Sequence, residues 1–148
     1  MTLRLRLIVS ISLAAGLTLS ACSESEPTAA EAGQVLKSHI DQTVKNAVST
    51  DVEVADPGGK DIACGNGKYK RTYAVQAKSV WSLDSQAIIT GLIGALDYAD
   101  TNYKLVSADT NPPRRVAVSD QYHTRIVLSS PARDRLMVSG ETECLPLE

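Results

Sequence analysis

The sequence has few of the residues that enzymes most often use for acid–base or metal chemistry. Its 148 residues include only two histidines, His39 and His123, and three cysteines. It lacks the Cys-x-x-Cys motif, the Gly-x-Ser-x-Gly and Ser-x-x-Lys motifs of serine nucleophiles, and the Gly-Lys-Ser/Thr ending of a phosphate-binding loop. No catalytic residue, metal site or cofactor is therefore assigned from sequence.

Long apolar runs are also scarce, and the one that exists lies at the start of the chain. Leu7–Leu19 follows Arg4 and Arg6 and leads into Leu19-Ser20-Ala21-Cys22. A run of 13 residues is short for a hydrocarbon core about 30 Å thick, and its flanks are typical of a signal peptide. Leu-Ser-Ala-Cys matches the bacterial lipobox, which predicts a signal peptide over 1–21 and a diacylglyceryl group, with its palmitate-like chains, on Cys22. The alternative is an ordinary secretory signal with an incidental cysteine.

Acyl chains at Cys22 would hold the mature protein on the extracytoplasmic side of the cell membrane, since two chains anchor a protein stably. Cys64 and Cys144 are then the remaining cysteines. An even pair in an oxidising compartment predicts a disulfide. A metal or redox pair is the alternative, and no motif supports it.

Charge argues against a nucleic-acid partner. The net charge of −2 becomes −4 when Arg4 and Arg6 are removed with the signal peptide, and nucleic-acid-binding domains are usually basic. Residues 22–33 are small and acidic, which is typical of a flexible tether. Residues 34–148 are long enough for one domain with its own core.

Apolar periodicity predicts an α+β fold, with two helices packed on one face of a mainly antiparallel sheet of about five strands. The helices are expected over residues 29–49, where Leu36, Ile40 and Val44 form a stripe, and over residues 84–99. Alternating segments predict the strands Asp51–Ala55, Tyr69–Trp81, Tyr103–Ala108, Arg115–Ser119, Tyr122–Ser129 and Arg135–Glu143.

Arginines are concentrated in residues 111–135, which contain five of them against two aspartates. Guanidinium groups on adjacent strands present forked donors to phosphates or carboxylates. The alternative is an ordinary solvated sheet face. The candidates for contact with an anion or a partner are Arg114, Arg115, Arg125, Arg133, Arg135 and His123. We expect Arg115 and Arg125 to lie on neighbouring strands of one exposed arginine face.

Other polar clusters have simpler explanations. His123 beside Arg125 could form an acid–base pair, but a strand histidine without a nearby carboxylate is more often a surface residue. His39 is expected at the edge of an apolar helix stripe. Asp51 and Glu53, followed by Asp56 and Asp61, could hold Ca²⁺, whereas a charged sheet edge that discourages aggregation is the simpler interpretation.

The order of these elements resembles the small LppA-like lipoproteins of mycobacteria and related actinobacteria. The resemblance depends on five features: the lipobox Leu19–Cys22, Cys64 before the strand Tyr69–Trp81, the helix after Ser82–Asp84, the Asn102-Tyr103 pair that follows this helix, and the strand Met137–Gly140 leading to Cys144. It implies a one-domain α+β lipoprotein of the cell envelope and carries over no catalytic residue.

Three classes of function agree with these features. The first is a non-enzymatic binding module that contacts an envelope protein or an anionic envelope component. The second is an enzyme, or an enzyme accessory, that acts on cell-wall material. The third is an exclusion or immunity lipoprotein of a mobile element.

The anchor is tested by Cys22→Ala. Without the sulfur that accepts the diacylglyceryl group, the chain should remain an unprocessed precursor or leave the membrane fraction. Mass spectrometry and detergent partitioning measure the two outcomes. A variant with the mature mass and detergent partitioning of the wild-type protein would contradict the prediction.

Overall fold

The computed structural model describes residues 26–147. The signal peptide and the lipidation site at Cys22 lie outside this range. None of the helices in the described range is long and apolar enough to cross a membrane.

Helix α1 spans Ala29–Asn46 and begins at a capping box. The Glu31 amide donates to the Thr28 hydroxyl over 3.1 Å, and the Thr28 amide donates to the Glu31 carboxylate over 2.8 Å. Ala29 is fully buried and packs with Leu145. The predicted tether therefore ends too late, because residues 29–33 already belong to the packed helix.

Helix α2 spans Ser85–Ala99 and is capped by Asp84, whose carboxylate accepts a hydrogen bond from the Ala87 amide over 2.9 Å. Its buried stripe follows the predicted helical spacing and consists of Ile88, Ile89, Leu92, Ala95 and Leu96. Both predicted helices are confirmed, although α1 ends three residues before position 49.

A six-stranded antiparallel sheet lies beneath the helices, in the order β1-β4-β8-β7-β6-β5. Its strands are β1 Ser49–Asp56, β4 Thr72–Ser79, β5 Lys104–Thr110, β6 Pro113–Ser119, β7 Thr124–Ser129 and β8 Arg135–Thr142. The predicted α+β class, with two helices on a mainly antiparallel sheet, is confirmed, with six strands in place of about five.

A separate hairpin pairs β2, Ile62–Gly65, with β3, Lys68–Lys70. Asn66 and Gly67 connect the two strands with φ values of 54° and 71°, the left-handed values that a tight hairpin turn requires. The predicted strand Tyr69–Trp81 is divided at Arg71, whose backbone amide donates to the Thr142 hydroxyl over 3.0 Å. Sequence periodicity did not separate β3 from β4.

The disulfide between Cys64 and Cys144 is confirmed. It joins the exposed β2–β3 hairpin to the C-terminal segment, where Leu145 is buried. The Tyr69 and Leu145 backbones exchange two hydrogen bonds of 2.8 Å beside this link. The bridge thus fastens a hairpin that has little core of its own to the start of α1.

Gly140 of β8 sets how closely α1 approaches the sheet. A Cβ atom at this position would lie 2.7 Å from Leu36 Cδ1 and 2.6 Å from the Arg125 carbonyl oxygen. Leu36 and Ile40 are fully buried at this crossing. A side chain at position 140 would therefore push either the helix or the neighbouring strand outward.

Gly140→Ala should destabilise the protein by about 1–3 kcal/mol, the usual cost of overpacking a core. Gly91→Ala is the matched control, because a Cβ there meets no atom within 4 Å and replacing a helical glycine by alanine gains up to about 1 kcal/mol. Denaturant unfolding of the two variants measures the difference. Equal stability of Gly140→Ala and the wild type would contradict the close packing described for α1.

Candidate functional site

The sheet face opposite the helices carries a row of short side chains. Register pairs Ala74 with Ser139, Ser139 with Val127, and Val127 with Val116. Because side chains alternate along a strand, these residues point away from the core, which their neighbours Val75, Val138 and Leu128 enter. We call the row Ala74–Ser139–Val127–Val116 the floor.

Longer side chains flank the floor on both sides. On one side Thr72 pairs with Glu141, and Glu141 with Arg125. On the other side Ser129 pairs with Met137 and with Arg114. The resulting groove has a volume of about 370 Å³, and its lining includes Asp56, Thr72, Ala74, Arg114, Arg125, Val127, Ser139 and Glu141.

The two carboxylates of the groove already have partners within the protein. Glu141 forms an ion pair with Lys70 at 2.7 Å. Asp56 accepts hydrogen bonds from the Thr72 hydroxyl over 2.6 Å and from the Gly58 amide over 2.9 Å. The Thr72 bond, followed by the Gly58 bond, lowers the pKa of Asp56 below its ordinary value, which keeps this carboxylate ionised.

The two arginines of the groove have no such partners. Within residues 26–147, the arginine side chains that make hydrogen bonds or ion pairs are those of Arg71 and Arg115. The Arg114 Nε atom is buried and has no acceptor among these residues. Buried donors in folded proteins are nearly always hydrogen-bonded. Counting Lys70, which pairs with Glu141, the groove has three cations against the two carboxylates of Asp56 and Glu141.

Arg115 does not share a face with Arg125, contrary to expectation. Arg115 pairs with Leu128, which is buried in the core, whereas Arg125 is exposed beside the groove. The Arg115 guanidinium donates to the Asp109 and Arg114 carbonyls over 3.1 and 2.9 Å. Arg114, which precedes it by one residue, is the arginine that joins Arg125.

The remaining candidates lie elsewhere. Arg133 is exposed in the turn between β7 and β8, and Arg135 is exposed at the start of β8, where it pairs with Lys78. His123 precedes β7 with a φ of 52°, and its Nδ1 lies 2.8 Å from the Glu143 carboxylate. The expectation of a strand histidine without a nearby carboxylate was therefore wrong.

The acidic residues considered for Ca²⁺ are bound to separate partners. Asp51 forms an ion pair with Lys78 at 2.7 Å, and Asp61 forms one with Arg71 at 2.7 Å. Glu53 accepts a hydrogen bond from Gln76 over 2.8 Å. The described part of the chain contains no group of three or more His, Cys, Asp or Glu residues that could hold a metal ion.

A polar network around His39 was missed by sequence reasoning. His39 Nδ1 and the Tyr103 hydroxyl share a hydrogen bond of 3.0 Å, and this hydroxyl lies 2.8 Å from the Thr124 hydroxyl. The Tyr122 hydroxyl donates to Asp100 over 2.7 Å. Because these residues are distant in sequence, helix periodicity gave no signal beyond the position of His39 near the apolar stripe.

The network connects elements and does not assemble a catalytic pair. His39 Nε2 is 3.8 Å from the Asp100 carboxylate, longer than a hydrogen bond, and the imidazole packs edge-to-face against Tyr103 and Tyr122. It links α1 to the end of α2 and to the turn before β7. Burial raises the pKa of Tyr103 to about 12.

Comparison of the chain with protein-family models, with curated proteins and with solved structures finds no match.

The His39 network makes stability depend on pH. Burial lowers the pKa of His39 below its ordinary value of 6.5, although Asp100 opposes the shift. As pH falls below about 6.5, His39 takes up a proton in the unfolded chain before it does so in the folded one. The contribution of the neutral imidazole to stability is therefore complete above about pH 6.5 and is lost below it. The free energy of unfolding of His39→Gln should therefore change less between about pH 7 and about pH 5 than that of the wild type. If the free energies of both proteins changed equally with pH, the role given to His39 would be contradicted.

Proposed function

We propose that this protein is a lipid-anchored, non-enzymatic binding module of the cell envelope, which captures an anionic ligand on the open face of its sheet. The proposal rests on which charged side chains of the groove already have partners within the protein. Asp56 and Glu141 are already bonded within the protein, whereas Arg114 and Arg125 have no partner among the described residues. An anion would supply the acceptors that the two guanidinium groups lack.

The anchor proposed at Cys22 would hold the domain close to the membrane. Glu26 forms an ion pair with Lys68 at 2.9 Å, so the chain contacts the domain within four residues of Cys22. Four residues reach at most about 14 Å when fully extended. This short reach agrees with the envelope location that the LppA-like resemblance implies.

An enzyme acting on cell-wall material is less well supported. Neither histidine lines the groove: His39 is enclosed by tyrosine rings, and His123 is bonded to Glu143. Guanidinium groups bind anions well but are poor general acids and bases, because they do not release a proton at neutral pH. The side chains of the groove are thus suited to holding a ligand.

The proposal is tested with the double variant Arg114→Ser/Arg125→Ser. Each charged hydrogen bond contributes about 1.5–3 kcal/mol, so affinity for vesicles containing phosphatidylglycerol should fall by about tenfold or more. The remaining binding should be less sensitive to salt, because fewer charges are left to be screened. Vesicle co-sedimentation at two salt concentrations measures both effects, with the protein produced without residues 1–22 so that no acyl chain binds it to the vesicle.

Arg133→Ser/Arg135→Ser is the matched control, since it removes the same charge from exposed residues outside the groove. It should bind vesicles nearly as well as the wild type. An equal loss in the two double variants would mean that binding depends on overall charge and would contradict a groove site. No loss in either would contradict the proposal as a whole.

A further inference from the structure

We infer that the ligand is a phosphorylated carbohydrate, held with its phosphate between Arg114 and Arg125 and its hydroxyl groups toward Asp56 and Glu141. This inference rests on the proposed anion-binding function and adds the chemical class of the ligand. It follows from how the groove separates its charges and from the number of acceptors that two arginines need.

The arginines favour a phosphate over a carboxylate. Arg114 and Arg125 flank the floor from opposite sides, because Arg114 pairs with Ser129 and Arg125 with Val118, and the Val116–Val127 pair lies between these two. Two guanidinium forks that approach a carboxylate from opposite sides must share its two oxygens. A phosphate monoester has three peripheral oxygens that accept strong hydrogen bonds, so it can receive donors from both sides of the groove with less sharing.

The end of the groove away from the arginines favours hydroxyl groups. The floor continues from Ala74 to Asp56 of β1, whereas Glu141 lies beside Arg125 as its cross-strand partner and is paired with Lys70. Both carboxylates keep lone pairs that can accept hydrogen bonds from alcohols, and Asp56 would repel a second anionic group. Ser139 adds a hydroxyl of its own along the same stretch. The hydrocarbon chain of a fatty acid has no polar atom to offer these groups.

The length of the groove excludes a very small ligand. Asp56 and Val127 lie on β1 and β7, three strand spacings apart in the sheet order. At about 4.8 Å per spacing the floor extends roughly 14 Å from the carboxylate to the arginines. This span suits a sugar ring with its phosphate, whereas the ammonium and phosphate of phosphoethanolamine are too close together to reach both ends.

The test measures binding of four soluble probes to the purified protein by isothermal titration calorimetry in a nonionic, sugar-free detergent. Glucose 6-phosphate should bind about tenfold more tightly than methyl phosphate or glucuronate, because each of these lacks one of the two recognised parts. Phosphoethanolamine should bind no better than methyl phosphate. Tighter binding of phosphoethanolamine than of glucose 6-phosphate would overturn the carbohydrate assignment.

Single substitutions test the two ends of the groove separately. Asp56→Asn should lower the affinity for glucose 6-phosphate about fivefold and leave the affinity for methyl phosphate unchanged. Glu53→Gln, on the same strand but outside the groove lining, should change neither affinity. Ser139→Leu keeps every charge but fills the floor, so it should remove binding of the sugar phosphate. Thermal unfolding of each variant verifies folding. If Asp56→Asn binds glucose 6-phosphate like the wild type, the assignment of the hydroxyl end fails.

The outcomes distinguish this inference from the proposed function. Equal affinities for glucose 6-phosphate, glucuronate and methyl phosphate, all lost in Arg114→Ser/Arg125→Ser, would overturn the carbohydrate assignment and retain the anion-binding function. No binding of any anion would overturn both. Vesicles containing phosphatidylinositol 4-phosphate, whose inositol ring carries a phosphate monoester, are compared with phosphatidylglycerol vesicles of equal total charge to identify the source. A preference for phosphatidylinositol 4-phosphate supports a lipid-linked headgroup, and binding of glucose 6-phosphate without that preference supports a free sugar phosphate.

Discussion

The burial of one face of the sheet beneath α1 and α2 is the constraint on which the rest of this structure depends. Leu36 and Ile40 are fully buried where α1 crosses Gly140, and each such side chain contributes about 1.5–3 kcal/mol when removed from water. Both helices lie on that one face, so within residues 26–147 no helix covers the other face of the six-stranded sheet. Its side chains must therefore be compatible with water.

The groove follows directly from this arrangement. Side chains alternate between the two faces along each strand. Val75, Val138 and Leu128 therefore enter the core, and their neighbours Ala74, Ser139 and Val127 face outward. One cross-strand row has short outward side chains, and the two adjacent rows have longer ones. The space between these two rows is the groove. Glu141 is paired with Lys70, Asp56 is held ionised by neutral donors, and Arg114 and Arg125 form no ion pair within residues 26–147, so the groove has one more positive than negative charge.

Much of this fold could be predicted from the sequence, because apolar periodicity reports directly on which side chains are buried. It located both helices, most strands and, with the expected compartment, the Cys64–Cys144 bridge. It failed where contacts depend on residues distant in sequence. Placing the start of β6 at Arg115 left Arg114 in a loop and hid the fact that the two arginines point to opposite faces. The His39 network and the Asn66-Gly67 hairpin were missed, although an Asn-Gly pair between short polar segments is a known hairpin signal.

The Nε–H resonances of the arginine side chains report whether an anion binds between Arg114 and Arg125. Phosphate should shift the Arg114 signal, because hydrogen bonds accepted from its Nη atoms change the charge distribution of the whole guanidinium group, of which the Nε atom is buried. The Arg125 signal should change at the same phosphate concentrations, and the Arg133 signal should stay in place. An Arg114 signal that does not move at saturating phosphate, or arginine signals that all move together, would contradict a specific site on the open face.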